Sequence, residues 1–238
     1  MLLGIDQGTT GSTAVLIHPS GEFLASATAA VPQHFPKPGW IEHDPNEILR
    51  SVEEAVNAVF RKAGKSPKDV LAIGVTNQRE TVSLFDDDKP LHRFIVWQDR
   101  RTADFCAKLK SKEKTIRKLS GLPVDPYFSG SKIHWLLKEL KIKNTSKNSS
   151  LRFRTIDSFL LRAMTGADVI EATNASRTSL LNLAKVKWDP TLLKIYGVPA
   201  NLCPEVIPSE GFTLKTRGCK FLPDGIPVKA CLGDQHAA

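Results

Sequence analysis

The stretch Leu2-Leu3-Gly4-Ile5-Asp6-Gln7-Gly8-Thr9-Thr10-Gly11-Ser12 opens the chain and decides its fold. A short apolar run carries one carboxylate, Asp6, to its end. A turn containing Gly8 and Gly11 follows, and Ala14-Val15-Leu16-Ile17 is apolar again. This order predicts a strand, a tight turn and a second strand, paired as a hairpin. The turn is not a P-loop, which needs a lysine after its second glycine and a helix next.

The tip of this hairpin has the chemistry of a phosphate site. Glycines let backbone N–H groups approach a ligand closely, and Thr9 and Thr10 add hydroxyl donors. Asp6 can hold Mg²⁺ directly or through water. An ordinary hairpin with a glycine turn explains the same residues equally well, so the stretch alone leaves both interpretations open.

Composition predicts a globular cytoplasmic protein. The chain has 238 residues, of which 41% are hydrophobic, enough for one large domain or two small ones. No apolar run approaches the roughly 18 residues of a membrane span. Strand-like sequence directly after Met1 leaves no room for a signal peptide. The four cysteines form no C-x-x-C pair, so reduced thiols without a zinc or redox motif are expected: Cys106, Cys203, Cys219 and Cys231.

The net charge of +8 is concentrated in two segments, residues 108–118 and 138–154. The first is typical of a solvated helical face and the second of an exposed loop. No aromatic residues interleave with the lysines, so we expect no nucleic-acid partner; a positive surface also attracts an anionic nucleotide. The glycosylation sequons at Asn144, Asn148 and Asn174 are expected to stay unused without secretion.

Apolar periodicity along the chain predicts alternating strands and helices. The predicted strands after the hairpin are 22–31, 70–75, 81–85, 94–97 and 228–232, and the helices begin at Asp44-Pro45 and lie around 102–109, 131–140 and 156–164. This order indicates an α/β layer with a mixed sheet. Asp6 and Asp234 each follow the end of a strand. If those strands are neighbours, both acids face one crevice, where ligands of open α/β sheets collect.

Three candidate residues follow strand ends. Arg79-Glu80 places a donor fork beside an acceptor, which suits two hydroxyls of a polyol, although a surface ion pair is the favoured interpretation on the residues alone. Asp234 lies behind a glycine and suits a general base within reach of a substrate hydroxyl. Its alternative role is to cap the helix that Gln235-His236-Ala237-Ala238 begins.

Two aromatic residues have positions that suit a ligand wall. Trp97 ends a strand, and its flat face can pack on the carbons of a sugar-like ligand; a core tryptophan is equally consistent. Tyr127 lies in the turn Asp125-Pro126-Tyr127-Phe128, where its hydroxyl can face a cleft or its ring can pack into the loop. Asp86-Asp87-Asp88 lacks the further ligands of a Ca²⁺ loop and is expected to be a solvated turn.

Seven blocks, in order, together resemble the FGGY carbohydrate kinases, most closely those members that phosphorylate glycerol. The blocks are Gly4-Ile5-Asp6-Gln7-Gly8-Thr9-Thr10, Pro36-Lys37-Pro38-Gly39-Trp40-Ile41-Glu42-His43-Asp44-Pro45, Gly74-Val75-Thr76-Asn77-Gln78-Arg79-Glu80-Thr81, Val96-Trp97-Gln98-Asp99-Arg100-Arg101-Thr102, Asp125-Pro126-Tyr127-Phe128-Ser129-Gly130-Ser131-Lys132, Thr173-Asn174-Ala175-Ser176-Arg177-Thr178 and Gly233-Asp234-Gln235. The family signature Y-x-S-x-x-K-I-x-W-L-x-K-E is met from Tyr127 to Glu139. Any single block is weak evidence, whereas seven in family order are strong.

The resemblance implies an actin-like ATPase (ribonuclease H-like) fold with a mixed central sheet and flanking helices. It implies ATP-dependent phosphorylation of glycerol to glycerol 3-phosphate, with ATP and Mg²⁺ required. The family's roles fall on these residues: Asp234 as catalytic base; Arg79, Glu80, Trp97, Tyr127, Asp234 and Gln235 on the polyol; Thr9 and Thr10 on phosphate; Asp6 and Asp234 on Mg²⁺. A homo-oligomer of the full-length enzyme also fits the resemblance.

The same resemblance implies a division into domains. Residues 1–232 match the substrate-binding N-terminal domain, and 233–238 match the start of a nucleotide-binding second domain that is otherwise absent. The chain alone is then expected to be inactive. Thr13 stands where the family usually has a basic residue. Rival functions are phosphorylation of another sugar or polyol, such as a pentulose, and non-catalytic polyol binding.

Overall fold

A computed structural model describes residues 1–142 and 150–238. Its strands are β1 (Leu2–Gln7), β2 (Gly11–Ile17), β3 (Phe23–Ala30), β4 (Glu42–His43), β5 (Ala72–Asn77), β6 (Val82–Asp86), β7 (Lys89–Pro90), β8 (Phe94–Ile95), β9 (Leu151–Thr155), β10 (Val169–Glu171), β11 (Leu181–Asn182), β12 (Lys187–Trp188), β13 (Glu205–Ile207), β14 (Glu210–Lys215) and β15 (Pro227–Gly233). Its helices are α1 (Pro45–Ala63), α2 (Ala103–Leu109), α3 (Glu113–Ser120), α4 (Ser129–Glu139), α5 (Ile156–Thr165), α6 (Ala172–Ser176), α7 (Pro190–Tyr196) and α8 (Asp234–Ala237).

The central sheet has six strands in the order β14-β15-β5-β1-β2-β3. The three middle strands β15, β5 and β1 are parallel, and β14, β2 and β3 are antiparallel to their neighbours. The predicted hairpin is β1–β2, with Asp6 opposite Thr13. The sheet is therefore mixed, as the sequence predicted, and its parallel strands end together at one edge.

Helix α1 covers one face of this sheet and shows why the sequence begins and ends a helix where it does. Asp44 caps the first turn by accepting from the Asn46 N–H at 2.8 Å, and Pro45 occupies the first turn. Gly64 ends the helix in the left-handed region, with a φ of 62°. The buried face of α1 packs on the apolar side chains of β1 and β2: Ile48, Val52, Val56 and Val59 meet Leu3, Ile5, Ala14 and Leu16 in one core.

A second sheet is separate from the central one. It contains β4, β8, β6 and β7 in that order, with β9 also paired to β6. Helices α4 and α7 pack on it in a second apolar core. Gly130 in α4 is required there, because a Cβ would lie 2.8 Å from the carbonyl oxygen of Thr178.

The structure corrects the predicted exposed loop over 138–154. Helix α4 extends to Glu139, and 151–155 form the buried strand β9, with Phe153 and Arg154 almost fully buried. Asn144 and Asn148 lie outside the described residues. Asn174 is buried and bonded to Asn77, so its sequon offers no accessible acceptor.

Two further surface predictions can be compared with the structure. The lysines of 108–118 are exposed on α2, α3 and the turn between them, as predicted. The turn at Asp87 and Asp88 is exposed but also paired, because both carboxylates bind Arg162. Within the described ranges, no helix is long and apolar enough to cross a membrane.

Candidate active site at the carboxyl ends of the parallel strands

The three parallel strands end in register at one edge of the central sheet. Gln7 of β1 lies opposite Asn77 of β5, which lies opposite Gly233 of β15. Asp6 and Asp234 therefore reach the same edge, although β5 separates their strands. Burial raises the pKa of Asp6, and the negative charge of Asp234 adds to this effect. The expected convergence of the two acids is thus observed.

The hairpin tip is fixed by buried amides and closes on Trp97. The Gly8 N–H donates to the Gly11 carbonyl at 2.9 Å, and the Gln78 side chain bridges Gln7 at 3.0 Å and the Gly8 carbonyl at 3.3 Å. The Trp97 indole N–H donates to the Thr9 hydroxyl at 2.9 Å. The predicted phosphate residues and the predicted wall residue are therefore neighbours.

Thr10 and Thr13 form other contacts within the same hairpin and its neighbouring strand. The Thr10 side chain is exposed at the tip, while its carbonyl accepts from the Val31 N–H at 3.0 Å. Thr13 pairs across the strands with the Thr28 hydroxyl at 2.9 Å. The position where the family usually has a cation thus carries a neutral pair of hydroxyls in this chain.

Arg79 is not a surface residue, so the favoured surface ion pair with its neighbour is wrong. Its side chain is 2% exposed and extends to the start of α8. The guanidinium lies 3.3 Å from the Asp234 carboxylate, donates to the Gln235 side-chain carbonyl, and lies 3.3 Å from His236 Nδ1. A Cβ at Gly233 would overlap the Arg79 side chain, which explains the glycine before Asp234.

The Glu80 carboxylate is held by Arg177. The Thr81 N–H donates to the Arg79 carbonyl at 2.7 Å, closing a three-residue turn with Glu80 at a φ of 61°. Such a turn is strained for a residue other than glycine and marks a position fixed by its surroundings. The Arg177 Nε–H donates to Glu80 Oε1 at 2.6 Å. Burial raises the pKa of Glu80, although the charge of Arg177 opposes this effect.

Trp97 and Tyr127 form an aromatic corner. Their rings meet edge to face with centroids 5.5 Å apart, and both side chains are half-buried. Burial and the charge of Glu80 raise the pKa of the Tyr127 hydroxyl, which therefore stays protonated as a donor. The arrangement fits a wall against the carbons of a small ligand.

Two supporting residues were not singled out from the sequence, although both lie in blocks that carried the resemblance. Lys132 is fully buried, and its ammonium donates to the carbonyls of Pro126 at 2.9 Å and Tyr127 at 2.5 Å. Burial lowers the pKa of Lys132 to about 7. The Ser129 hydroxyl donates to the Glu80 carbonyl at 3.1 Å. The Y-x-S-x-x-K spacing thus joins the turn of Glu80 to the loop of Tyr127.

The carboxylates at this edge fit a shared Mg²⁺ site. Among the residues that the structure describes, no cluster of three or more His, Cys, Asp or Glu side chains forms a metal cage. Mg²⁺ commonly takes one or two carboxylates and completes its shell with water and substrate phosphates. Burial and, to a smaller extent, the charge of Asp234 raise the pKa of Asp6, and a bound cation held by these carboxylates would offset both effects.

A cavity of about 500 Å³ lies elsewhere, between α1, α5 and the loop before β15. Its lining includes Arg50, Arg154, Arg162, Arg217 and Lys220, none of which belongs to the candidate site.

Behind the site, Asp157 is a completely buried acid. Its carboxylate accepts from the Thr155 hydroxyl at 2.5 Å and from the Glu171 N–H at 2.8 Å. Burial nevertheless raises the pKa of Asp157 from 3.8 to about 7, with the charge of Glu171 adding to the effect. The folded protein thus holds a proton here that the unfolded chain releases near pH 4.

This proton gives a testable dependence of stability on pH. Because the folded state binds the proton more tightly, the free energy of unfolding should fall as pH rises from about 4 to about 7. The contribution of Asp157 is at most about 1.4 kcal/mol per pH unit. Urea unfolding across this range should show a shallower slope for Asp157→Asn than for the wild type. Equal slopes of the free energy of unfolding against pH in the two proteins would show that Asp157 is ionised in the folded state.

Known proteins match this chain along its whole length. The model of the N-terminal domain of the FGGY family of carbohydrate kinases matches residues 1–238. The chain is 46% identical to a glycerol kinase of Bdellovibrio bacteriovorus and 43% identical to one of Bacillus velezensis, covering 100% of this chain and 49% of each relative. The chain therefore spans about half the length of the curated relatives it matches.

Solved structures show the same fold. The crystal structure of Plasmodium falciparum glycerol kinase with ADP matches with a TM-score of 0.88 and 30% identity, covering 99% of this chain and 49% of that one. A xylulose kinase from Rhodospirillum rubrum matches with a TM-score of 0.88 at 22% identity over 99% of this chain and 49% of that chain, which supports the fold alone. The chain belongs to the FGGY family of carbohydrate kinases and corresponds to its N-terminal domain.

Proposed function

We propose that this chain is the substrate-binding part of a glycerol kinase, which transfers the γ-phosphoryl group of ATP to a terminal hydroxyl of glycerol. Relatives named glycerol kinase at 41–46% identity along the whole chain support this substrate. We assign residues 1–232 to the substrate-binding domain and 233–238 to the start of the nucleotide-binding domain. A cytoplasmic location is part of the same proposal.

The buried Arg79 side chain carries the proposal. The Arg79 side chain, which is 2% exposed, joins the end of β5 to Asp234, and the neighbouring Glu80 is held by a second arginine. A donor fork, an acceptor and a carboxylate base therefore converge at one edge. A polyol with adjacent hydroxyls satisfies all three groups at once.

Each of the other site residues has a role in this binding mode. Arg79 donates to one glycerol hydroxyl, and Glu80 accepts from another. The aromatic corner of Trp97 and Tyr127 covers the carbon chain, and Gln235 remains beside Arg79 through its side-chain carbonyl. A wall of this kind excludes water from the hydroxyl that reacts.

Asp234 is the proposed base. Its carboxylate accepts the proton of the terminal hydroxyl as that oxygen bonds to the γ-phosphorus and the bond from this phosphorus to the departing ADP oxygen breaks, while the Arg79 guanidinium holds the carboxylate in place. Thr9 and Thr10 would donate to phosphate oxygens, and Asp6 with Asp234 would hold Mg²⁺. The bound cation would supply charge neutralisation for the phosphates. Phosphoryl transfer depends mainly on positioning and charge stabilisation, so a weak carboxylate base suffices.

The test is an ADP-release assay on the complete kinase, residues 1–238 joined to a nucleotide-binding domain. With ATP and Mg²⁺, turnover should be highest with glycerol and much lower with xylulose or gluconate. Residues 1–238 alone should bind glycerol in calorimetry but turn over little, because contacts from one domain cannot hold the γ-phosphate in line.

Other outcomes would favour the rival functions. A preference for a pentulose would replace glycerol as substrate. Glycerol binding without turnover by the complete protein would indicate a binding module. Tight binding of a DNA duplex by residues 1–238 would indicate a nucleic-acid partner. Robust turnover by residues 1–238 alone would show that the nucleotide site lies within this domain.

A further inference from the structure

The start of α6 contains a buried carboxylate that is bonded only to neutral donors in the described part of the chain. Glu171 is 0% exposed and caps α6, accepting from the Thr173 N–H at 2.6 Å and the Asn174 N–H at 3.1 Å. It also accepts from the Thr173 hydroxyl at 2.6 Å, the Asn174 amide at 3.0 Å and the Ser209 hydroxyl at 2.7 Å. A carboxylate has about four lone-pair sites, so Glu171 is saturated and holds these donors in fixed directions.

One chain of hydrogen bonds runs from Glu171 to the residue before the proposed base. The Thr173 hydroxyl donates a hydrogen bond to Glu171. The Thr173 hydroxyl oxygen can therefore still accept, and it accepts from the Gly233 N–H at 2.9 Å. Gly233 is the last residue of β15 and immediately precedes Asp234. Thr173 thus fixes the backbone at the point where the chain leaves the sheet.

A second chain of hydrogen bonds runs from Glu171 toward the turn of Arg79 and Glu80. The Asn174 and Asn77 side-chain amides bond reciprocally, at 2.9 and 3.3 Å, and both are buried. Asn77 ends β5, two residues before Arg79. Glu171 therefore joins the ends of the two strands that carry the base and the polyol residues.

We propose that Thr173, held by Glu171, is a positioning residue that sets the place of Asp234 relative to Arg79 and Glu80. The Asp234 side chain is 49% exposed, so packing does not fix it. Its placement depends on its backbone and on the Arg79 ion pair. A base displaced by about 1 Å can lose on the order of 10²-fold in rate. The inference rests on the proposed function of Asp234.

The test compares two substitutions of Thr173 in the complete kinase. Thr173→Val keeps the shape but removes the acceptor for Gly233, and we expect kcat to fall about 10–100-fold with KM for glycerol within about threefold. Thr173→Ser keeps the hydroxyl and should restore kcat to within about threefold of the wild type. Thr165→Val removes a similarly bonded hydroxyl at the far end of α5 and should leave kcat unchanged.

A purely structural role predicts a different pattern. It would give losses of stability without a selective fall in kcat, and amide exchange at Gly233 equal in wild type and Thr173→Val. Either result would overturn the inference, as would a Thr173→Val kcat within threefold of the wild type. If Thr173→Val does not fold, Thr173→Ala removes the same acceptor without the second methyl group and is judged by the same criteria.

The failure of the proposed substrate is distinguishable from the failure of this inference. If the wild-type kinase is inactive on glycerol but active on another polyol, glycerol is not the substrate. The same comparison of kcat between the Thr173 variants would then be made with that polyol. A wild type inactive on every polyol and sugar tested would reject both the function and the positioning role.

Discussion

Asp234→Asn in the complete kinase is expected to lower kcat by roughly 10²–10⁴-fold, the range for loss of a general base. The substitution keeps the size of the side chain and its capacity to accept from the Gln235 N–H, seen here at 2.7 Å. It removes the negative charge that we propose accepts the substrate proton. Because the proposed binding mode holds glycerol mainly through Arg79 and Glu80, the dissociation constant of glycerol should change much less than kcat.

A steady-state assay of ADP release and calorimetry with glycerol measure the two effects separately. Asp224→Asn is the matched control, since this exposed acid lies ten residues upstream and bonds only to the Gly218 N–H in the described structure. Its turnover should equal that of the wild type. Near-wild-type turnover by Asp234→Asn would remove Asp234 as the base and leave it as a ligand or a cap.

The placement of the acids shows what local patterns can predict. In the sequence, Asp6 and Asp234 each follow a short apolar run, and the carboxyl end of such a run can be recognised without knowing the neighbouring strands. The prediction that both reach one edge needed only parallel pairing, and the structure confirms it with β5 between them. The mixed sheet and the actin-like fold were therefore predictable, the second through the family resemblance.

Partners distant in sequence were not predictable in the same way. Arg79 and Glu80 are adjacent, so a mutual surface pair was the favoured interpretation from the residues alone. The positive φ of Glu80 instead sends the two side chains to partners about 156 and 97 residues away, at Gln235 and Arg177. No local periodicity reports such a turn, and only the family resemblance indicated that both side chains belong to a site.

Burial of charge was the other failure of sequence reasoning. The polar segment 138–154 contains β9, where Arg154 lies 2% exposed over the Phe85 ring and bonds to Asp168. Composition cannot distinguish a solvated arginine from one buried with a carboxylate and an aromatic ring, because both occur in charged stretches. The burial of Lys132 was not predictable either, because the backbone carbonyls that accept from its ammonium leave no pattern in the sequence.

Arg79→Ala is expected to weaken glycerol binding by on the order of 1.5–3 kcal/mol, the range for hydrogen bonds to charged groups. This corresponds to roughly a 10- to 150-fold rise in the dissociation constant. The expected cost has two sources: the loss of the proposed donor to a glycerol hydroxyl, and the loss of the guanidinium that lies 3.3 Å from the Asp234 carboxylate. Turnover should therefore fall together with affinity, in contrast to Asp234→Asn.

Calorimetry with glycerol and steady-state kinetics measure this effect, and two variants make it specific. Arg79→Lys keeps the charge but lacks the planar fork that reaches both Asp234 and Gln235, so it should recover only part of the loss. Arg117→Ala removes an exposed arginine that forms a solvent-screened ion pair with Glu113 on α3, and this variant should bind glycerol like the wild type. Unchanged affinity, KM and kcat in a folded Arg79→Ala kinase would show that the buried guanidinium only supports the fold and that the polyol binds elsewhere.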